Sequence, residues 1–131
     1  MKLAKKFSDS DWLKLDDEVS VKVDYPTREQ QKELDRIALS KFKEFNVNSF
    51  DELNDNQKVE LILANQEYTE LYLRYTIKDW RGLGEDCKVE NNQLDAEQWG
   101  RLIRGTSREE LTKLYELIYK ELSFTDTDKK K

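Results

Sequence analysis

The stretch TIKDWRGLGED, residues 76–86, carries the side chains best suited to chemistry. Glu85 and Asp86 are adjacent carboxylates, and such a pair can transfer protons or hold a hard cation. Neighbouring acids on a loop of an acidic chain are usually only solvated, however. The GLG tripeptide before them lacks the lysine and the further glycine of phosphate-binding loops. We therefore expect no nucleotide, cofactor or metal at this stretch.

The composition excludes several classes of function. The chain has no histidine and a single cysteine, Cys87, so it cannot form a Cys/His zinc site, a Cys-His dyad or a Ser-His-Asp triad. Its net charge is −5, and residues 51–100 hold 5 Lys/Arg against 12 Asp/Glu, a balance that repels phosphate. We expect a protein that is not an enzyme and does not bind nucleic acid.

Hydropathy and cysteine usage bear on the cellular compartment. No window approaches the roughly 20 apolar residues of a membrane helix. The start MKLAKKF is not followed by the apolar run of a signal peptide, and a lone cysteine forms no internal disulfide. These features predict a protein of the reducing cytoplasm that does not bind membranes.

The N-terminal part predicts a β-hairpin near residues 11–24. Apolar residues alternate with polar ones on both sides of the acidic DDE turn, which is the pattern of paired strands. Pro26 ends the second strand, and Thr27 with Gln30 forms a capping box that starts a helix reaching about residue 45. The alternating apolar residues are Leu13, Leu15, Val19, Val21 and Val23.

Helical patterns fill the rest of the chain. The longest run extends from Lys58 to Trp80 without Gly or Pro, and apolar residues on two of its sides predict a central helix that is covered on more than one side. One of these sides consists of Val59, Ile62 and Leu63.

A short helix is predicted after its cap Asp95, with Gly105 just past its end. A last helix is predicted at 107–122, where the apolar residues at helical spacing are Leu111, Leu114, Tyr115, Ile118 and Leu122. The fold class is mainly α (α+β), an N-terminal hairpin followed by about four helices. Residues 1–124 form one domain, and 125–131 a flexible charged tail.

Aromatic residues are the remaining features of note. Trp12, Trp80 and Trp99 adjoin apolar patterns, which favours core packing over ligand stacking. Tyr68, Tyr72 and Tyr75 share one helical face, where core packing with hydroxyls at the rim competes with a partner-binding strip. The exposed side of the predicted 107–122 helix is the other candidate for binding a helical partner. Ser49–Glu52 and Asn54–Gln57 are further cap signals between the first two helices.

Two short motifs resemble a known family. A tryptophan-bearing strand leads into a "v.vk.rplT"-like junction, and a "v.dWeGi.d..G"-like segment ends the central run, although CKVENN stands where the family has a second glycine. The chain is similar, over residues 8–105, to the tail assembly chaperones of long-tailed bacteriophages and prophages. The residues that carry this resemblance are Trp12, Val21, Lys22, Val23, Pro26 and Thr27, and then Asp79, Trp80, Gly82, Leu83 and Asp86.

The resemblance implies a non-catalytic function in the host bacterial cytoplasm. Such proteins bind the tape measure protein, help to recruit tail tube subunits of the major tail protein, and are absent from the finished virion. It also implies a structural role for the second motif, with Trp80 packing back on the core and Gly82 freeing the chain to turn. The sequence leaves open whether the chain forms a homo-oligomer.

Two other functions fit the sequence. A structural phage tail or head-tail connector protein could have this size, and a small acidic inhibitor that mimics nucleic acid would explain the acidic middle segment. The inhibitor reading requires acids at phosphate-like spacing, whereas the acids alternate with Lys and Arg over much of the chain. The presence or absence of the chain in purified tails separates the connector from the chaperone.

Overall fold

The computed structural model describes residues 12–46 and 49–129. It confirms a mainly helical chain with an N-terminal hairpin. No helix in this part of the chain is long and apolar enough to cross a membrane. The helices are α1 (Arg28–Phe45), α2 (Asp55–Thr76), α3 (Ala96–Gly105) and α4 (Arg108–Lys129), and the strands are β1 (Leu13–Lys14), β2 (Ser20–Val23), β3 (Ile77–Arg81), β4 (Val89–Glu90) and β5 (Gln93–Leu94).

The predicted hairpin is present, with antiparallel β1 and β2. Its turn closes without glycine because the Asp16 carboxylate accepts hydrogen bonds from the backbone amides of Glu18 and Val19, both at 2.8 Å. Asp11, where the predicted hairpin starts, lies outside the described residues.

The predicted end of the central helix is wrong. The helix stops at Thr76, and residues 77–81 form β3, which pairs antiparallel with β2 in the order β1-β2-β3. Val21 lies opposite Trp80, and the Asp24 amide donates to the Thr76 carbonyl over 2.9 Å.

A second hairpin, β4–β5, replaces part of the predicted acidic loop. Its two turn residues, Asn91 and Asn92, have φ of 53° and 62°, the left-handed conformation of a type I′ turn, which asparagine tolerates better than most residues. The feature of the sequence that indicates this hairpin is therefore the pair Asn91–Asn92.

Most of the predicted caps are present. Thr27 and Gln30 exchange hydrogen bonds at the start of α1, and Asp95 accepts two amides of α3. Asn54 and Gln57 form the box of α2, whereas the Ser49 side chain caps nothing and precedes only a short 3-10 turn at Phe50–Glu52. Gly105 is the last residue of α3 rather than the one past it, and α4 runs beyond 122, with a helical backbone to Lys129.

The core lies between the sheet, α1, the C-terminal half of α2 and α4. Trp80, predicted to be an anchor, is buried there, and Trp99 packs against its edge. The buried apolar residues of this cluster are Val21, Val23, Leu34, Tyr72, Leu73, Ile77, Trp80, Leu94, Leu111, Leu114, Ile118 and Leu122.

One prediction for the central helix fails. Val59, Ile62 and Leu63, expected to be covered, are exposed in the N-terminal half of α2, whereas Leu61 on its other side is buried. An apolar period identifies a face of a helix but does not say that another element of the same chain covers it.

Candidate protein-binding site

The GLGED loop is held from within by Trp80. The indole Nε1 donates to the Glu85 carbonyl over 2.8 Å, so the loop folds back on the buried ring. Gly82 and Gly84 have φ of 87° and 85°, which L-residues rarely adopt. A Cβ on Gly82 would lie 1.9 Å from the Glu18 carbonyl oxygen, so this glycine lets the loop cross the β1–β2 turn.

Helix α3 holds the same loop from outside. Gln98, itself buried, donates to the Asp86 carbonyl over 2.7 Å and accepts from the Lys88 amide over 2.8 Å. Arg101 bonds both carboxylate oxygens of Glu85 at 2.9 Å. Burial raises the pKa of the Cys87 thiol to about 12, which keeps it protonated and unreactive. Among the described residues no three His, Cys, Asp or Glu side chains could hold a metal ion together.

The other motif residues are also engaged in local structure. The Arg81 guanidinium lies 3.9 Å from the centre of the Trp12 ring, and Asp79 of β3 lies opposite Lys22 of β2 in the strand register. Thr27 caps α1, as described above. Pro26, which separates β2 from α1, lines a cleft against α4. This group of residues therefore shapes the fold around the site.

Four tyrosines from α2 and α4 pack into one cluster. Tyr72 and Tyr115 meet edge to face, with ring centres 5.0 Å apart, while Tyr68 stacks on Tyr72 at 6.2 Å. Tyr119 stacks on Tyr115 at 5.9 Å and is 53% exposed. The edge-to-face and offset arrangements are those that aromatic rings favour. Hence the cluster is buried in the core at Tyr72 and reaches the protein surface at Tyr119.

Two clefts flank Tyr119. The larger, about 350 Å³, lies between α1 and the tyrosines and is lined by Ala38, Asn65 and Thr69. The smaller, about 140 Å³, lies against the β2–α1 junction at Tyr25 and Pro26. The Tyr25 hydroxyl donates to the Leu122 carbonyl over 2.9 Å, which fastens that junction to α4. We call Tyr68, Tyr72, Tyr115, Tyr119 and the two clefts the tyrosine face.

The structure divides the predicted tyrosine strip. Tyr68 and Tyr72 belong to the tyrosine face, but Tyr75 lines a different, open groove beside Thr27 and Asn92. The exposed side of the 107–122 helix was predicted as a candidate surface, but Tyr119 was not singled out there, and Tyr115 was assigned only to the apolar stripe of that helix. The signal that could have found both is their spacing of four residues, which repeats that of Tyr68 and Tyr72.

Burial alters the acidity of this cluster. It raises the pKa of Tyr115 to about 12 and also raises the pKa of Tyr72, with a smaller contribution from neighbouring phenols. Burial likewise raises the pKa of Tyr68, with the Asp35 carboxylate as the next cause. The charged phenolate is disfavoured because the surrounding rings solvate it poorly. The folded protein therefore holds these hydroxyls neutral where free tyrosine ionises.

This difference predicts a loss of stability at high pH. Unfolded tyrosine ionises near pH 10, so the contribution of Tyr68, Tyr72 and Tyr115 is complete below pH 10 and falls as pH rises towards about 12. Urea unfolding at neutral pH and at pH values within this window measures the loss. Tyrosinate absorbance of the folded and urea-unfolded chain is the control, and identical titrations would contradict the buried cluster.

The tyrosine face is thus an aromatic surface set on rigid helices, with neighbouring clefts and neutral hydroxyls. Such a surface suits protein binding, since tyrosine combines a large apolar ring with a polar tip. Comparisons of this chain with protein-family models, with curated proteins and with solved structures find no match.

Proposed function

We propose that this chain is a non-catalytic tail assembly chaperone that binds a phage tape measure protein and keeps it soluble during tail assembly. The observation that carries the proposal is the tyrosine face, with the half-exposed ring of Tyr119 between two clefts. The motifs around Trp12 and Trp80 favour membership of the chaperone family. The polar groups of the GLGED loop are engaged in contacts that hold the fold, which favours a structural rather than a catalytic role for this motif.

The tyrosine face fits a helical client. A helix that lays its apolar side over Tyr119 would place side chains into the clefts on both sides of that ring, in the manner of helix-in-groove recognition. Tyrosine is also enriched among the residues that carry most of the binding energy at interfaces.

The charge of the chain suits a chaperone for an aggregation-prone client. Its net charge of −5 adds solubility to a complex whose client is long and apolar on one side. We place this complex in the host cytoplasm, with recruitment of major tail protein subunits as its later step. No step in this function requires ATP or a catalytic group.

Co-expression with the tape measure protein of the same genome tests the function. We expect the client to become soluble only when the chain is present, and the two proteins to elute together on gel filtration. If the client is equally insoluble with and without the chain and no complex elutes, the chaperone proposal fails. Recovery of the chain in purified finished tails would instead favour a structural tail protein.

The variant Tyr119→Ser should weaken this complex without unfolding the chain. The exposed ring contributes little to the core, so we expect a change in the free energy of unfolding within about 1 kcal/mol and a loss of binding of about tenfold or more. The matched control is Leu39→Ser, which removes an apolar side chain that is 57% exposed on α1. Equal loss of binding in both variants would contradict a client site at the tyrosine face.

A further inference from the structure

A second apolar surface lies on the N-terminal half of α2. Val59, Ile62 and Leu63 are 56%, 49% and 57% exposed, and their spacing places them together on one side of the helix. Phe50, also exposed, lies beside the first turns, with the Lys58 ammonium 5.3 Å from its ring centre. We call Val59, Ile62 and Leu63 the α2 strip.

The α2 strip continues a face of α2 that is covered elsewhere by helices. Steps of three or four residues lead from Ile62 through Gln66 and Glu70 to Leu73, which is fully buried. From Glu70 onward the cover comes from α3 and α4, since the Trp99 indole donates to the Glu70 carbonyl over 2.9 Å and Arg108 bonds its carboxylate at 3.1 Å. The α2 strip therefore belongs to the same helix face that packs against α3 and α4 further along α2.

Helix α1 does not cover the α2 strip. Lys41 of α1 interacts electrostatically with Glu60 and Glu67, which border the strip at Leu63. The strip residues themselves stay exposed beside α1. Tyr68 and Tyr72 of the tyrosine face, in contrast, lie on the opposite side of α2 from the strip. The strip and the tyrosine face are therefore separate surfaces of one helix.

Charge around the α2 strip indicates what kind of partner would cover it. Residues 49–67 hold five acids and one lysine, and two of these acids, Glu60 and Glu67, interact with Lys41 of α1. Asp51, Glu52 and Asp55 are exposed immediately before or within the first turn of α2. A second copy of this chain, packed strip against strip, would bring these acids towards one another, and such like-charge juxtaposition opposes association. A partner with Lys or Arg beside its apolar residues would complement them.

We infer that the α2 strip binds an amphipathic helix of another protein, apolar at three- and four-residue spacing and flanked by basic residues. This inference goes beyond the client-binding role of the tyrosine face and uses different residues. Because the two surfaces lie on different sides of α2, one chain can hold the client and this basic helix at the same time. The chain would then join two proteins rather than only shield one.

Two synthetic helical peptides of about 18 residues test the inference. Both carry leucines at helical spacing, one with lysines and the other with glutamates beside them, and fluorescence anisotropy measures their binding to the full chain. We expect saturable binding of the lysine peptide, at least about tenfold tighter than that of the glutamate peptide and weakened by added salt. Equal affinities, or no saturable binding of the lysine peptide, would overturn the inference.

Variants assign the binding to the strip. The double variant Ile62→Ser/Leu63→Ser should bind the lysine peptide about tenfold or more weakly, whereas Leu39→Ser and Tyr119→Ser should bind it like the wild-type chain. Circular dichroism confirms that each variant stays helical. Unchanged binding by the double variant would refute the site. So would a dimer in sedimentation that this double variant converts to a monomer, because a second copy would then cover the strip.

Discussion

Trp80→Ala is expected to lower the free energy of unfolding by about 3 to 5 kcal/mol, the cost of deleting a large buried aromatic side chain. Trp80 is only 6% exposed and packs on the inner face of the sheet opposite Val21. Its loss would also leave the Glu85 carbonyl without the indole donor that fixes the loop. The effect should appear as a large fall in the urea midpoint.

Trp80→Phe serves as the matched control for this prediction. It keeps a ring in the core and removes the indole N–H, so a smaller loss is expected, with about 1 kcal/mol of it from the hydrogen bond. An unfolding midpoint for Trp80→Ala equal to that of the wild-type chain would refute the structural role of this residue. Binding of a client measured on the same samples would then show whether Trp80 acts at a surface.

Gly82→Ala is expected to destabilise the chain by about 3 kcal/mol or more, from two independent causes. The first is backbone strain at φ 87°. The second is steric, because the new Cβ would lie 1.9 Å from the Glu18 carbonyl oxygen, a contact that only backbone movement can relieve. The β1–β2 turn and the GLGED loop would have to separate.

Gly84→Ala separates these two causes. Gly84 has nearly the same φ, 85°, but no atom lies within 4 Å of a Cβ built there. Its substitution should therefore cost only the conformational term, about 1 to 2 kcal/mol. Chemical denaturation of both variants measures the difference, and equal losses would contradict the close approach of the loop to the turn.

The elements that could be predicted from the sequence are those whose causes are local. The capping boxes at Thr27 and Asn54 join residues three positions apart, and the hairpin turn depends on Asp16 and the amides that follow it. The residues that form such contacts lie within a few positions of one another in the sequence. The same is true of Asp95, which caps α3 through the next amides.

The features that escaped prediction depend on partners far away in the chain. The change from helix to strand after Thr76 follows from pairing with β2, more than fifty positions earlier. The tyrosine face needs Tyr68 and Tyr119 brought together from two helices, and helical spacing relates only residues within one helix. Likewise, Val59 and Leu63 have the apolar pattern of a buried face, but no element within residues 12–46 or 49–129 covers them.

Site-directed photo-crosslinking tests the central claim, that the tyrosine face binds the tape measure protein. A photoreactive phenylalanine analogue replaces Tyr119 in one sample and Leu39 in a second, each co-expressed with the tape measure protein of the same genome. We predict a crosslinked adduct with that client from position 119 and none from position 39. A complex that forms but gives its adduct only from position 39, or from neither position, would contradict the account.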